Sequence, residues 1–231
     1  MAKYRSFEEH LDPKVGPKRI LSLDGGGLRG VLTLGMLREI ESLLRKRHDD
    51  DPNFRLGHYF DLIAGTSTGA IIAAALSLGM TVDEVHDHYI DLGEIVFKRS
   101  LLRWGALRAK YPADAVRGAL KRVFGDRTLE SGDFLTGLVV VTKRLDTGSV
   151  WPITNNPNAR YFKGGTKSTT IPNKHYPLWQ VVRASTAAPH YFDPETIRIG
   201  RAEGEKKAVT GDFVDGGVSP SNNPTLQALM M

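Results

Sequence analysis

The 231-residue sequence contains no cysteine, which excludes disulfide bonds and thiolate metal sites. It also has no apolar run long enough to span a membrane, and its N-terminus lacks the apolar core of a signal peptide. No internal repeat or low-complexity tract is evident. These absences predict a soluble, cytoplasmic protein, for which a reducing compartment is permitted.

The charge balance is basic, with 31 Lys and Arg against 26 Asp and Glu and an isoelectric point near 9.4. A net charge of +5 suits an acidic partner such as anionic lipid or nucleic acid, but it does not choose between them. The segment 98–110 mixes basic and apolar residues. It fits either a lipid interface or an ordinary surface segment whose apolar side packs inward.

Length and hydrophobic content predict one domain, since 41% hydrophobic residues are enough for a substantial core. Residues 1–17 are polar and contain two prolines, so we expect an N-terminal arm before a domain over residues 18–231. The chain stops at Met231 within a helical pattern, which raises the expectation of a truncated C-terminus.

Short apolar runs alternate with segments of helical period along the chain. Helices are predicted over residues 31–47, 81–97, 114–124 and 178–185, and strands over residues 18–23, 60–64, 137–142 and 213–214. The apolar residues of the first of these helices, from Val31 to Leu44, are expected to share one face, and residues 146–176 are expected to form loops near a site. The alternation predicts an α/β fold with a mainly parallel central sheet.

A serine stands between two glycines where an apolar run meets a helical segment. Gly65 and Gly69 flank Ser67 at two positions' distance, as in a nucleophile elbow, where small neighbours let the backbones approach. The serine would stand at a helix N-terminus, whose dipole favours an alkoxide and an adjacent oxyanion. The same short pattern also arises by chance in a chain with 24 glycines.

A second glycine cluster follows the first strand. Its Gly25-x-Gly27-x-x-Gly30 spacing satisfies the dinucleotide fingerprint, which makes a nucleotide-binding module the alternative function. The acidic residue that should end the next strand is missing, because residues 49–52 form a loop. Gly26 and Gly27 would equally line an oxyanion hole for Ser67. Arg29 fits either a charge near a phosphate or an exposed helix start.

A nucleophilic serine needs a base, and Asp215 lies in a third glycine-marked turn, with Gly216 after it. All seven histidines precede Asp215, so the chain order of an α/β-hydrolase triad cannot be completed with that aspartate as the acid. His175 or His190 with Asp146 is the alternative triad. A carboxylate acting directly on Ser67 is simpler, while a plain turn aspartate is the other interpretation.

Three ordered motifs resemble those of the patatin-like phospholipase family, namely residues 24–30, 65–69 and 215–217. The stretches 183–189 and 222–224 resemble it too, so the likeness covers about residues 18–228. It implies a three-layer α/β/α fold, similar to a modified α/β-hydrolase.

The resemblance also implies a lipid acyl hydrolase with a Ser67–Asp215 dyad and an oxyanion loop of Gly25, Gly26 and Gly27, supported by Arg29, Gly30, Gly65, Gly69 and Gly216. An enzyme of this kind needs no metal or cofactor. The resemblance further implies that the protein acts transiently at a phospholipid membrane, here at its inner face, and that nucleic acid is not its substrate. Some bacterial members are antiphage effectors switched on by a cyclic nucleotide, so a nucleotide activator acting through a region outside this chain is a further expectation.

Overall fold

A computed structural model describes residues 4–101, 113–164, 169–201 and 208–231, with the side chains of residues 95–101 left out of the description. The basic and apolar segment at 98–110 lies outside the described side chains. None of the helices described is long and apolar enough to cross a membrane.

The described residues form helices and strands in mixed order. The helices are α1 (Phe7–Leu11), α2 (Gly30–Arg47), α3 (Leu56–Tyr59), α4 (Thr68–Ser77), α5 (Val82–Leu101), α6 (Ala113–Phe124), α7 (Leu178–Ser185) and α8 (Thr225–Leu229). The strands are β1 (Ile20–Leu23), β2 (Leu62–Thr66), β3 (Gly137–Arg144), β4 (Val150–Thr154), β5 (Glu195–Arg201) and β6 (Ala208–Asp215). Short 3₁₀ turns cover Gly27–Arg29, Asn173–His175, Gly216–Val218 and Pro220–Asn222.

Local sequence accounts for several of these elements. The β-branched run in β3 is buried over its first six residues, as expected of a central strand. Helix α5 begins with a capping box, because the Thr81 N–H donates to Glu84 Oε2 at 2.8 Å and the Glu84 N–H donates to Thr81 Oγ1 at 3.2 Å. The Ala- and Ile-rich α4 is buried from Gly69 to Ser77 and packs on β2 and β3.

The central sheet is mixed, with mainly parallel strands, as predicted. β1, β2 and β3 pair in parallel, while β4 and β6 each pair antiparallel to β3 and β5 pairs antiparallel to β6. β1, β2, β3 and β5 therefore run in one direction. The region 146–176, expected to be loops, contains β4, which pairs with β3 over Val139–Lys143. The sequence pattern does not predict β5.

Helices lie on both faces of the sheet, which gives the α/β/α layering. The larger hydrophobic core joins the first face to α2, α4, α5, α6 and α7, and contains Ile63, Leu138 and Val140. The smaller core lies on the second face, where Ala228 of α8 packs on Leu62, Ala64, Val139 and Val141. Alternate residues of β2 and β3 thus point to opposite layers.

Helix α2 is apolar on two faces, contrary to the prediction of a single one. Leu34, Leu37 and Leu44 are buried in the larger core, whereas Leu32 and Leu43 are exposed. The spacing of the apolar residues could not separate these two sets, because residues three or four positions apart occur in both.

The N-terminal segment docks on the start of β2 through a buried carboxylate. Asp61 Oδ1 accepts hydrogen bonds from Arg5 Nη1 at 2.6 Å and from His10 Nδ1 at 2.8 Å. Its second oxygen accepts the Arg19 N–H at 2.8 Å. α1 is thereby fixed to the sheet at the end remote from Ser67.

Candidate active site

Ser67 lies in the turn between β2 and α4 with a strained backbone. Its φ is 56° and its ψ is −126°, a region that non-glycine residues rarely adopt. Holding such a conformation costs on the order of 1–3 kcal/mol, so the surrounding structure must impose it. The first two N–H groups of α4, those of Thr68 and Gly69, have no partner among the described residues, whereas the Ala70 N–H donates to the Ser67 carbonyl oxygen at 2.9 Å.

The two flanking glycines are sites of close backbone approach. A Cβ on Gly65 would lie 2.2 Å from the Gly69 carbonyl oxygen, and a Cβ on Gly69 would lie 2.3 Å from the Leu23 carbonyl oxygen. No side chain fits at either position. The turn is therefore packed directly against itself and against the end of β1.

Strand register brings Asp215 to Ser67. Thr66, the last residue of β2, pairs with Val141 of β3, and Asp215, the last residue of β6, pairs with Thr142. β4 occupies the other edge of β3 at these residues, so β2 and β6 share one edge and meet end to end. Ser67 Oγ accordingly donates a short hydrogen bond to Asp215 Oδ2.

The Asp215 carboxylate is almost fully buried, with 5% of its surface exposed. Burial raises its pKa, because the charged form loses hydration, while the hydrogen bonds from Ser67 and from the Gly217 N–H oppose the rise. The Gly217 N–H donates to Asp215 Oδ1 at 2.7 Å. A Cβ on Gly216 would lie 2.5 Å from the Val141 carbonyl oxygen, so this turn also needs glycine for close approach. One oxygen is thus held by the backbone and the other faces the serine.

Ser185, at the end of α7, holds the backbone of Ser67. The Ser67 N–H donates to Ser185 Oγ at 2.8 Å, and Ser185 Oγ donates to the Val141 carbonyl oxygen at 2.6 Å. The hydroxyl therefore links the turn to β3. The sequence pattern predicts no role for Ser185, although this residue lies in the stretch 183–189 that carries part of the resemblance.

The glycine loop after β1 lies opposite the serine, and two of its three N–H groups are engaged. The Gly25 N–H donates to the Asn222 carbonyl oxygen at 3.3 Å, and the Gly26 N–H donates to Thr68 Oγ1 at 3.3 Å. For the Gly27 N–H, the described residues offer no partner. Asn222 Nδ2 returns a bond to the Gly25 carbonyl oxygen at 3.1 Å, which ties the loop to the turn after Asp215.

A cavity of about 630 Å³ opens between the loop and the serine. It is lined by Gly25, Gly26, Gly27, Leu28, Arg29, Ser67, Thr68, Ile71, Tyr89, Leu92, Gly93, Val116, Thr186, Ala188, Tyr191, Phe192, Asp215, Gly217, Val218 and Asn222. Apart from the loop and the Ser67–Asp215 pair, the walls are largely apolar. Such a space suits a hydrocarbon chain placed beside a small polar centre.

Of the other predicted residues, Arg29 lines the cavity and Gly30 lies behind it in the packed structure. Arg29 is exposed and lines the cavity. Gly30 is buried at the start of α2, where a Cβ would lie 2.2 Å from the Tyr89 hydroxyl oxygen. The Tyr89 hydroxyl in turn donates a short hydrogen bond to the Gly27 carbonyl oxygen. Tyr89 of α5 thus holds the glycine loop through the Gly27 carbonyl oxygen, and the sequence pattern does not predict this contact.

The alternative triad is not assembled. His175 contacts Glu130 at 2.8 Å, and Asp146 is paired with Arg144 at 2.7 Å. His190 is exposed, and neither histidine lines the cavity. Among residues 146–164 and 169–176, which the structure describes, none lines it either, so the expectation that these residues lie at the mouth of this cavity is wrong. Among the residues described, no group of three or more His, Asp or Glu is placed to hold a metal ion.

The loop also lacks the acidic partner of a dinucleotide site. β2, which is the neighbour of β1 in the sheet, ends in Gly65 and Thr66 rather than in an acidic residue. The space beside the loop is instead shared with Ser67 and Asp215.

Comparisons with known proteins point to one family. A sequence model described as patatin-like phospholipase matches residues 21–229. The chain is 37% identical to the cUMP-AMP-activated phospholipase of Escherichia coli, over 91% of this chain and 58% of that protein. It is 31% identical to the cGAMP-activated phospholipase of Escherichia coli (strain TW11681), over 92% of this chain and 55% of that protein.

Two further matches cover much of the same region. The human calcium-independent phospholipase A2-gamma is 34% identical over 79% of this chain and 23% of its own length. The crystal structure of VipD from Legionella pneumophila superposes with a TM-score of 0.50 at 15% identity, covering 88% of this chain and 46% of VipD, a likeness of fold alone. This chain spans a little over half the length of the two Escherichia coli relatives.

Proposed function

Because this chain belongs to the patatin-like phospholipase family, we propose that it hydrolyses fatty acyl esters of phospholipids through an acyl-enzyme formed on Ser67. The observation that carries the proposal is the hydrogen bond from Ser67 Oγ to the buried Asp215 carboxylate, at the wall of an apolar cavity. A serine with a base in reach is the arrangement that activates a hydroxyl.

In this mechanism Asp215 is the general base. As Ser67 Oγ bonds to the ester carbonyl carbon, its proton passes to Asp215 Oδ2. Collapse of the tetrahedral intermediate breaks the bond to the leaving oxygen, which takes the proton back and departs as the lysophospholipid. Water then attacks the acyl-enzyme, Asp215 takes a proton from it, and the fatty acid leaves as Ser67 regains its hydrogen.

In this mechanism the oxyanion is stabilised by two backbone N–H groups, one in the glycine loop and one directly after Ser67. The Gly27 N–H has no partner among the described residues, and the Thr68 N–H opens α4, so both are available to an oxygen in the cavity. Gly25 and Gly26 contribute by holding the loop through Asn222 and Thr68. Arg29 places a positive charge at the wall, which suits a phosphate head group.

Labelling with a fluorophosphonate probe tests the nucleophile. We expect the wild-type protein to be labelled and Ser67→Ala to lose labelling together with fatty acid release from phospholipid. Ser77→Ala is the matched control, because Ser77 is a buried serine of the following helix whose hydroxyl donates to the Ala73 carbonyl oxygen at 2.8 Å. Labelling that persists in Ser67→Ala would disprove the assignment.

We extend the proposal to regulation and location. The names of the two Escherichia coli relatives state activation by cUMP-AMP and by cGAMP, so we propose that a cyclic dinucleotide activates the protein to which this chain belongs. Fatty acid release from vesicles by that whole protein, measured with and without each dinucleotide, tests it, and equal rates would contradict it. Action at the inner face of a membrane and a role in antiphage defence stay predictions.

A further inference from the structure

The outer face of α2 carries a row of exposed apolar side chains. The exposed fraction is 55% for Leu28, 67% for Leu32, 69% for Met36, 37% for Ile40 and 50% for Leu43. Leu28 lies in the 3₁₀ turn before α2, and the others follow at the three- and four-residue spacing of one helix face. The row is roughly 20 Å long at the rise of a helix.

This apolar row is additional to the face by which α2 packs on the protein. Leu34, Leu37 and Leu44 already join α2 to the larger core. A surface helix of a globular protein ordinarily has one apolar stripe, with polar residues opposite. Contiguous exposed apolar side chains of this kind mark an interaction surface.

The row begins at the mouth of the cavity. Leu28 belongs both to the row and to the cavity wall. On the rim, Val218 is 44% exposed and Tyr191 is 57% exposed, and both line the cavity. A hydrocarbon chain leaving an apolar phase along α2 would therefore reach Ser67 without crossing water.

Basic residues stand at both ends of the row. Arg29 lies at the cavity end, and Lys46 and Arg47 lie in the last turn of α2, all exposed. None of the three forms an ion pair with a described residue. Glu39 is the acidic residue exposed on this side of the helix. An apolar row bounded by cations matches a lipid surface that carries negative head groups.

We propose that the outer face of α2, defined by Leu28, Leu32, Met36, Ile40 and Leu43, is the surface by which the protein lies on an anionic phospholipid bilayer. The proposal deepens the proposed function, since it says where the substrate enters. The position of Leu28 favours a bilayer over a second protein as the partner, because a protein packed on Leu28 would stand at the cavity mouth, where the substrate has to enter. A bilayer at the same place supplies the substrate.

Vesicle binding tests the surface separately from catalysis. Binding is measured by co-sedimentation in the Ser67→Ala protein, so that the vesicles stay intact, with mixed phosphatidylcholine and phosphatidylglycerol. Adding Leu32→Gln and Met36→Gln should weaken binding by about tenfold or more, because two large side chains lose their burial in lipid. Wild-type binding should be weaker on pure phosphatidylcholine.

The matched control adds Leu145→Gln and Leu229→Gln, which remove two apolar side chains of similar exposure, 55% and 67%, away from α2. This control should bind vesicles as the Ser67→Ala protein does, and thermal unfolding should show all variants folded. Unchanged vesicle binding in the α2 variant overturns the proposal. So does a change from dimer to monomer in that variant by light scattering, with vesicle binding retained, because the face would then hold a second copy.

Activity measurements separate this inference from the proposed function. In the background with Ser67 intact, the α2 variant should lose far more hydrolysis of vesicles than of a soluble short-chain ester. Equal losses on the two substrates overturn the surface assignment. Absence of ester hydrolysis by the wild-type protein would instead contradict the proposed function, while the binding result would stand.

Discussion

Two parts of the cavity wall, the Ser67 turn and the tip of the loop at Gly26 and Gly27, have different physical reasons for their glycines. At the serine turn, a Cβ on Gly65 or Gly69 would lie within 2.3 Å of a carbonyl oxygen. In the loop after β1, a Cβ on Gly27 would meet nothing within 4 Å, and one on Gly26 would only reach Arg29 Cβ at 3.4 Å. The turn needs glycine for space.

Within the loop, Gly25 also needs space, because a Cβ there would lie 2.5 Å from Asn222 Oδ1, whereas Gly27 needs glycine for backbone conformation. Gly27 has a φ of +55°, which side chains disfavour, and the same cluster leaves its N–H without a partner among the described residues. Crowding at the turn fixes where the serine stands. The open space at Gly27 leaves its N–H as a hydrogen-bond donor for a ligand.

The largest effect is expected from Gly69→Ala. Its Cβ would meet two carbonyl oxygens, of Leu23 at 2.3 Å and of Asp24 at 2.7 Å, and neither strand nor helix can move away. We expect a loss of unfolding free energy of about 3 kcal/mol or more, at the upper end of over-packing costs. Urea denaturation measures it.

The control for that change is Gly35→Ala. Gly35 lies inside α2, and a Cβ there would meet nothing within 4 Å. It should gain up to about 1 kcal/mol from helix propensity. A stable, folded Gly69→Ala protein would show that the turn is less crowded than its geometry indicates.

Asp215→Asn should have the next largest effect, now on rate rather than on folding. Removing a general base typically costs about 10²- to 10⁴-fold in rate, and we expect kcat to fall in that range. Asparagine retains the shape and can still accept the Gly217 N–H. A wild-type kcat for phospholipid hydrolysis would contradict the assignment of Asp215 as the base.

The raised pKa of Asp215 predicts how both activity and stability depend on pH. The acid limb of kcat/KM should lie above the range of an ordinary aspartate, because the base works only when ionised.

Since the folded state holds the proton more tightly than the unfolded state, the charged carboxylate costs stability at neutral pH. Asp215→Asn should therefore raise the thermal midpoint at neutral pH, and the gain should vanish below the ordinary carboxyl pKa. A lower midpoint at neutral pH would contradict this.

Ser185→Ala should have an intermediate effect, because it releases the amide of the strained Ser67. We expect kcat to fall by about 10- to 10²-fold from misplacement of the nucleophile, with KM unchanged. Ser77→Ala removes a comparable buried hydroxyl and should leave kcat intact. Equal effects of the two substitutions would mean that Ser185 only stabilises the fold.

The smallest effect is expected from Gly26→Ala. Its φ of −165° is open to any residue, and its nearest contact would be an ordinary one. Unfolding free energy should change by no more than about 0.5 kcal/mol, and turnover by a few-fold at most. A loss as large as that of Gly69→Ala would remove the distinction between the serine turn and the tip of the loop.

Much of the architecture was predictable because it rests on local pattern. The alternation of apolar runs and helical periods predicts the parallel part of the sheet, and Gly65, Ser67 and Gly69 predict the turn that the structure contains. Other features depend on distant partners. The two faces of α2, the strand β4 and the roles of Ser185 and Tyr89 are not predicted by the sequence pattern, because burial and hydrogen bonding to a remote element leave no local signal.

By itself, the sequence determined the three glycine-marked turns, the strand before each of them and the candidate nucleophile and base, since these are properties of short segments. Only the tertiary structure decided how the serine and the aspartate meet. β6 runs against β2 along one edge of β3, so the two strands end facing each other at Val141 and Thr142. Strand direction and register are set by long-range pairing and packing, which neighbouring residues along the chain do not encode.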